Sequence, residues 1–487
     1  MATALAPRVN SDDSDAEQRR LLDYTYDELR KGNSVAIEAY PGFGKTRLGS
    51  QLLTRFDRAV MVVRTHQEMV EVFKFVGGVR GVAYAYGKPK LCFRTDDFSY
   101  GFCRAMLLFG RCDTRVTNRD VAWVAATFRK PEDIREESRK RGRCLYFALR
   151  TLAQSAKRVV ATYDYLVSNP EVFNGKEAAV LDEAHTLLNY LDEASITVSG
   201  AFIEALARSM KKNPDTRWLA YAVKAAYRRS TNVHEFAENL SMVYSSYSGP
   251  ETDATKVIDA VLEAYRRRQY ASDGRTYYFL SDALPRVARF EPKLLLGVYL
   301  PPMFASAIKN IIRVSGEPRV RLVVDSDLTS RYEERSEDTY TGYARKLSEY
   351  VRDDVGNLAV FPSGEFMSEV LRRSGITDKI VTEPVNGEVK PGYVLVDVAG
   401  GRYTEGVNIK GISNVVVCGM PYPEPNPLLD LATRAYSQDL YTYIALLRTV
   451  QAIGRIRGSG TAYAIDRRFA YHVDKLPKWI EVSSSTI

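Results

Sequence analysis

The segment SVAIEAYPGFGKTRLGSQLL, residues 34–53, limits the fold of this chain more than any other. A short apolar run passes directly into Ala39-Tyr40-Pro41-Gly42-Phe43-Gly44-Lys45-Thr46, and a helical pattern follows. Strand, glycine loop and helix in that order predict a phosphate-binding loop. Ala39 stands where the strict Walker A pattern has its first glycine. Gly42 and Gly44, on either side of Phe43, let backbone N–H groups wrap a phosphate, and the helix N-terminus adds partial positive charge. Lys45 is then placed for the β- and γ-phosphates of ATP, and the Thr46 hydroxyl for Mg²⁺.

Such a loop belongs to an α/β domain, and the chain carries the α/β pattern twice. Runs rich in Val and Ala recur at 34–39, 58–65, 158–166 and 178–185, then at 357–363, 393–400, 414–420 and 461–469. Short apolar strands alternating with helical segments imply parallel sheets covered on both faces. The expected fold is therefore α/β, with two tandem doubly wound parallel-sheet domains. The first comprises 1–87, 147–195 and 291–318, and the second 319–487. A cysteine-rich stretch, 88–146, and a helical stretch, 196–290, interrupt the first. In the helical stretch TRWLAYAVKAAYRRS and TKVIDAVLEAYRRRQ space apolar residues three and four apart, as amphipathic helices do.

Charge and hydropathy exclude little. The 68 Lys and Arg against 60 Asp and Glu leave +8, which is compatible with a polyanionic partner but is spread over 487 residues. The most apolar stretch, around Leu294 to Ala305, is too short to cross a membrane and is broken by Pro301 and Pro302. The first residues, MATALAPRVNSDDSDAEQ, lack the basic start and apolar stretch of a secretory signal. A cytoplasmic protein without membrane contact is expected.

A second carboxylate site is needed beside a phosphate loop, and Val180-Leu181-Asp182-Glu183-Ala184-His185 supplies it at the end of an apolar strand. Asp182 would bind Mg²⁺ and Glu183 would polarise the attacking water as general base. His185 is a candidate for coupling nucleotide state to the rest of the chain. Four of the five cysteines, Cys92, Cys103, Cys112 and Cys144, fall in one stretch without the close pairs usual in structural zinc sites. Their spacing alone leaves an iron–sulfur cluster, zinc and free thiols open. Cys418 lies in an apolar strand and reads as a core thiol.

The DEAH tetrad 182–185 points to helicase superfamily 2, and other segments resemble its XPD/DinG-like iron–sulfur DNA helicases, closest to the archaeal XPD type. Arg64-Thr65-His66-Gln67-Glu68-Met69 resembles motif Ia, GGRYTEGVN (400–408) motif V, and QAIGR (451–455) motif VI. GKPKLCF (87–93) and GRCLYFALR (142–150) resemble the segments with the first and last cluster cysteines. The resemblance implies two RecA-like motor domains, an iron–sulfur insertion and a helical arch. It also implies ATP-dependent 5′→3′ movement on single-stranded or forked DNA, with the chain acting as a monomer. It assigns a [4Fe–4S] cluster to Cys92, Cys103, Cys112 and Cys144, and DNA contacts to Arg64, Thr65 and His66. Gln18, Glu405, Gly406, Gln451 and Arg457 join the ATP-binding set.

The chain also departs from the family pattern. Motif III reads Gly297-Val298-Tyr299-Leu300-Pro301-Pro302, without its small hydroxyls; motif V has Asn408 in place of an acid; and motif VI is one residue short between Arg455 and Arg457. If that segment is helical, residues two apart do not share a face. On that basis Arg455 is the expected catalytic arginine and Arg457 points away. The alternative to a working helicase is a module that binds ATP and nucleic acid without productive unwinding.

Overall fold

The computed structural model describes residues 14–484, except 78, 80, 98–102, 104, 105, 108–110, 127, 129, 281–285, 306, 307, 315–319, 406 and 408. The chain divides into two compact units. One comprises residues up to His185 with 290–422 and 444 onward; the other comprises Thr186–Arg289 with Pro423–Tyr443.

The first unit holds two seven-stranded sheets. The strands of the first are β1 (Val35–Ala39), β2 (Ala59–Val63), β3 (Val82–Ala85), β4 (Arg158–Thr162), β5 (Ala178–Leu181), β6 (Lys293–Gly297) and β7 (Asn310–Val314). They run in the order β7-β1-β6-β5-β2-β4-β3, all parallel. The second sheet is built from β8 (Val320–Asp325), β9 (Gly356–Phe361), β10 (Ile380–Val381), β11 (Val394–Val398), β12 (Ile412–Cys418), β13 (Gly460–Ile465) and β14 (Ile480–Ser484). Its order is β10-β11-β9-β12-β13-β8-β14, again parallel throughout. The two expected doubly wound domains are present. Each of the eight expected apolar runs contains a strand, while β3, β6, β7, β8, β10 and β14 were not foreseen. The most apolar stretch, from Leu294, begins in β6, every residue of which is buried.

Central strands covered on both faces need apolar residues at every position, and β2 and β9 are buried along their whole length. Helix α1 (Ser14–Arg30) precedes β1, α2 (Lys45–Arg55) follows the phosphate loop, and α3 (His66–Val76) follows β2. Leu48, Leu52 and Leu53 of α2 are buried, each contributing about 1.5–3 kcal/mol of hydrophobic stabilisation. Gly49 lets this helix lie close on the sheet. A Cβ there would meet Val180 Cγ1 at 2.9 Å, with Leu296 and Met61 at 3.1 Å. Cys418 is fully buried at the end of β12, as its apolar setting suggested.

The second unit is helical with a small sheet. Helices α4 (Gly200–Lys211), α5 (Arg217–Arg229), α6 (Val233–Ser245) and α7 (Asp253–Arg266) bury Leu219, Val223, Phe236, Leu240, Ile258 and Leu262 together. Ser199, Asn232 and Thr252 cap three of them by accepting from backbone N–H groups. Strands 195–198, 276–280 and 270–273 form an antiparallel sheet that adds Tyr277 and Phe279 to this core. The helix periodicity was legible; these strands were not. Helix Pro427–Tyr436, distant in sequence, packs Leu431 against Leu280.

Candidate active site

Gly42 and Gly44 adopt φ of 88° and 91°, in the left-handed region that a Cβ disfavours, so the loop needs glycine at both positions. Lys45 follows at the start of α2 and is buried; its Nζ donates to the carbonyls of Ala39 (3.0 Å) and Tyr40 (3.4 Å). Burial pulls its pKa down, and the charges of Glu183 and Asp182 push it back up. Phe43 is buried against the ring of Tyr40, and its carbonyl accepts from Gln18 Nε2 on α1. The structure thus brings Gln18 to the phosphate loop.

The two candidate magnesium ligands meet. Thr46 Oγ1 donates to Asp182 Oδ2 at 2.7 Å across the ends of α2 and β5. Asp182 is almost fully buried, and burial, with the charges of Glu183 and Glu68, raises its pKa. These oxygen donors suit a hard divalent cation. Glu183 turns outward through a positive φ of 47°. Burial alone would raise its pKa, but the nearby His185 ring, with Lys45 and Arg64, holds it low. It is therefore a carboxylate at neutral pH.

Residues of the second sheet's half close the other side. His185 Nδ1 lies 3.3 Å from Glu183 Oε2, and its Nε2 lies 2.8 Å from Gln451 Nε2. Arg64 pairs with Glu405. A cleft of about 820 Å³, open to solvent, is lined by Lys45, Thr46, Arg64, Glu183, Glu405, Gln451, Arg455 and Arg457, among others.

Helix Leu440–Ile453 stops before both arginines. The helical register used to separate them therefore does not apply, because Arg455 and Arg457 lie in the turn beyond it. Arg455 donates three hydrogen bonds to main-chain carbonyls, two to Thr404 and one to Val407, at 2.6–2.9 Å. Arg457 has no hydrogen bond or ion pair among the described residues; its charge acts on Lys45 and Glu183.

The three residues expected to contact DNA lie at the end of β2 and the start of α3. Arg64 faces the cleft, Thr65 accepts from Glu68 N–H as the cap of α3, and His66 packs on Tyr86. Gly406 and Asn408 lie outside the described residues.

The four clustered cysteines, with 10, 8 and 31 residues between successive ones, line one cavity with Phe93, Tyr146 and Phe147. Pairing of Asp113 with Arg143, with Cys144 N–H donating to Asp113 O, sets Cys112 beside Cys144. Arg143 is fixed in turn by Asp120, which also takes Arg141. Among the described residues no three His, Cys, Asp or Glu side chains close up enough to hold a metal ion. Among the described residues no helix is long and apolar enough to cross a membrane.

Residues 110–201 match the family described as DEAD_2, and residues 348–483 the helicase C-terminal domain. The ATP-dependent DNA helicase XPD of Sulfolobus acidocaldarius is 22% identical over 540 residues, which cover 93% of this chain and 95% of that protein. The chain is an XPD-like helicase. Its fold follows that of a solved XPD helicase with TM-score 0.61 at 20% identity, covering 98% of this chain and 100% of that one. The S. tokodaii Xpd4 structure gives 0.51 at 16% identity, covering 96% and 100%.

Sequence reasoning missed several residues of this XPD-like site. Glu68 takes the N–H groups of Arg64 and Thr65 on one carboxylate oxygen beneath the cleft, and its capping-box spacing was a usable signal. Thr404 and Val407 lie in the motif V segment, but their side chains gave no signal, since they act through main-chain carbonyls. Motif III is also clarified. Val298 and Tyr299, with Tyr40, pack against the apolar core of the second sheet. Where the family has hydroxyls, this helicase has an apolar contact between its sheets.

Proposed function

We propose that this helicase hydrolyses ATP between its two parallel-sheet halves and uses the hydrolysis to move 5′→3′ on single-stranded DNA and open duplex ahead of it. The observation that carries this is the single cleft in which Lys45, Thr46 and Glu183 of one half face Glu405, Gln451 and Arg457 of the other. The name of the Sulfolobus relative supports ATP and DNA as substrates; the direction rests on the motif resemblance.

In this proposal Gly42, Phe43 and Gly44 offer backbone N–H groups to the phosphates, Lys45 leaves the Ala39 carbonyl for them, and Gln18 borders the adenine. Thr46 and Asp182 would hold Mg²⁺, which offsets phosphate charge when bound. Glu183, kept ionised by His185, accepts a proton from the attacking water. Arg457 stabilises charge on the transferred phosphoryl group, a role worth about 10³–10⁵ in rate. Arg455 instead fixes the Thr404–Val407 loop that carries Glu405. Cys92, Cys103, Cys112 and Cys144 would hold a [4Fe–4S] cluster that ties their loops together.

Single-stranded DNA is expected to stimulate ATP hydrolysis, and Lys45→Ala to abolish it while single-strand affinity without nucleotide stays within a few fold. An ATPase indifferent to DNA would favour the binding-module alternative. Protein purified without oxygen should carry about four iron and four sulfide per chain. A colourless preparation with stoichiometric zinc would remove the cluster from the proposal.

A further inference from the structure

The helical unit divides its charge by hairpin. Residues 200–230, which hold α4 and α5, carry seven Lys and Arg against two acids; residues 231–266, which hold α6 and α7, carry six acids against two Lys and Arg. A solvated helical surface without a partner gains nothing from such sorting. The basic hairpin also exposes large rings. Trp218 is 45% exposed and Tyr221 60%, and they sit three residues apart on α5, so they share a face about 4.5 Å apart along the axis. Lys211 Nζ stands 4.4 Å from the centre of the Tyr221 ring. Among the described residues no carboxylate pairs with Lys211, Lys212 or Arg217, whereas Glu204 is covered by Lys224 and Arg228. The row continues through Tyr247, whose ring centre lies 6.4 Å from that of Trp218, and Tyr244 stacks on Tyr247 at 5.8 Å. Hydroxyl bonds to Pro250 O and Asp259 hold those two tyrosines in place.

We infer that this face of α4 and α5 binds single-stranded nucleic acid, with bases stacked on Trp218 and Tyr221 and phosphates held by Lys211, Lys212 and Arg217. Exposed rings among unpaired cations suit a strand with both π faces and phosphates, and each stacked base adds affinity without reading sequence. The inference rests on the proposed function only in taking a single strand as the ligand.

The test uses the full chain and an oligothymidylate of roughly 20 nucleotides. Trp479 is buried and Trp123 carries Arg141 over its ring, so Trp218 is the exposed indole of the three in the chain. Titration should quench tryptophan fluorescence, and Trp218→Phe should remove most of the quench while keeping affinity within about threefold. Trp218→Ala with Tyr221→Ala should lower affinity about tenfold or more, with an unchanged melting curve. Lys211→Glu with Lys212→Glu should lower affinity and flatten its salt dependence. If the wild-type chain binds but neither the quench nor the affinity depends on Trp218 and Tyr221, the inference is overturned and the helicase proposal stands. It is overturned in the same way if only the charge reversal matters, for then the face is a general polyanion or acidic-protein surface. If the wild-type chain binds no single strand, both fall.

Discussion

Arg455 and Arg457 are two positions apart and held in opposite ways. The first spends its guanidinium on carbonyls of Thr404 and Val407; the second faces the cleft beside Lys45 and Glu183. Arg457→Ala is accordingly expected to lower kcat by about 10³ or more with little change in melting temperature. Arg455→Ala should instead cost about 1.5–3 kcal/mol of stability, since it removes charged hydrogen bonds from half-buried carbonyls. Steady-state ATPase and urea melts on both variants check this. A folded Arg455→Ala that is inactive beside an active Arg457→Ala would reverse the assignment. The pair also marks a limit of sequence reading: motif spacing located both arginines, but which one reaches the phosphates depends on where the preceding helix ends.

At the scale of elements, α2 must lie close on the first sheet for Lys45 and Thr46 to reach Asp182. Gly49 provides that closeness, so Gly49→Val should cost about 1–3 kcal/mol through overpacking and should weaken nucleotide binding by tilting the loop. Calorimetry and titration with a fluorescent nucleotide would read both effects; an undisturbed melt would mean that the helix can shift freely. Lys176, in the turn before β5, gives a pH signature. Burial, with the Arg58 charge, pulls its pKa down to about 8, against about 10.4 in the unfolded chain. Between those values the unfolded state binds more protons, so stability should rise with pH across that window and be lowest below it. Lys176→Gln should remove that component, seen as the difference between urea midpoints of wild type and variant at pH 7.5 and 10. A parallel pair of profiles would mean that Lys176 titrates normally.

Across the whole first unit, polar and apolar contacts join the two sheets, the Arg64–Glu405 pair among them. Glu183, His185 and Gln451 form a polar line from the end of β5 to helix Leu440–Ile453, and Val298, Tyr299 and Tyr40 form an apolar one. If the polar line carries the signal from DNA to nucleotide, Gln451→Ala should cut DNA-stimulated ATPase about tenfold more than ATPase without DNA. That is the scale of one lost buried hydrogen bond. Equal losses in both rates would confine Gln451 to nucleotide binding.

The sequence by itself determined what local chemistry dictates. A strand running into a glycine loop and a Lys-Thr pair has few foldings open to it, and short apolar runs that alternate with helical segments read as strands buried on both faces. Hence the phosphate loop, the carboxylates at the end of β5 and eight of the fourteen strands in the two sheets were legible. Tertiary structure decided whatever depends on partners far along the chain. It put Arg64 against Glu405 in the cleft, 341 positions away in sequence. It gathered cysteines from Cys92 to Cys144 around one cavity, and it filled the place of the motif III hydroxyls with an apolar contact. In each case the residue type allows several roles, and only the geometry of approach chooses among them.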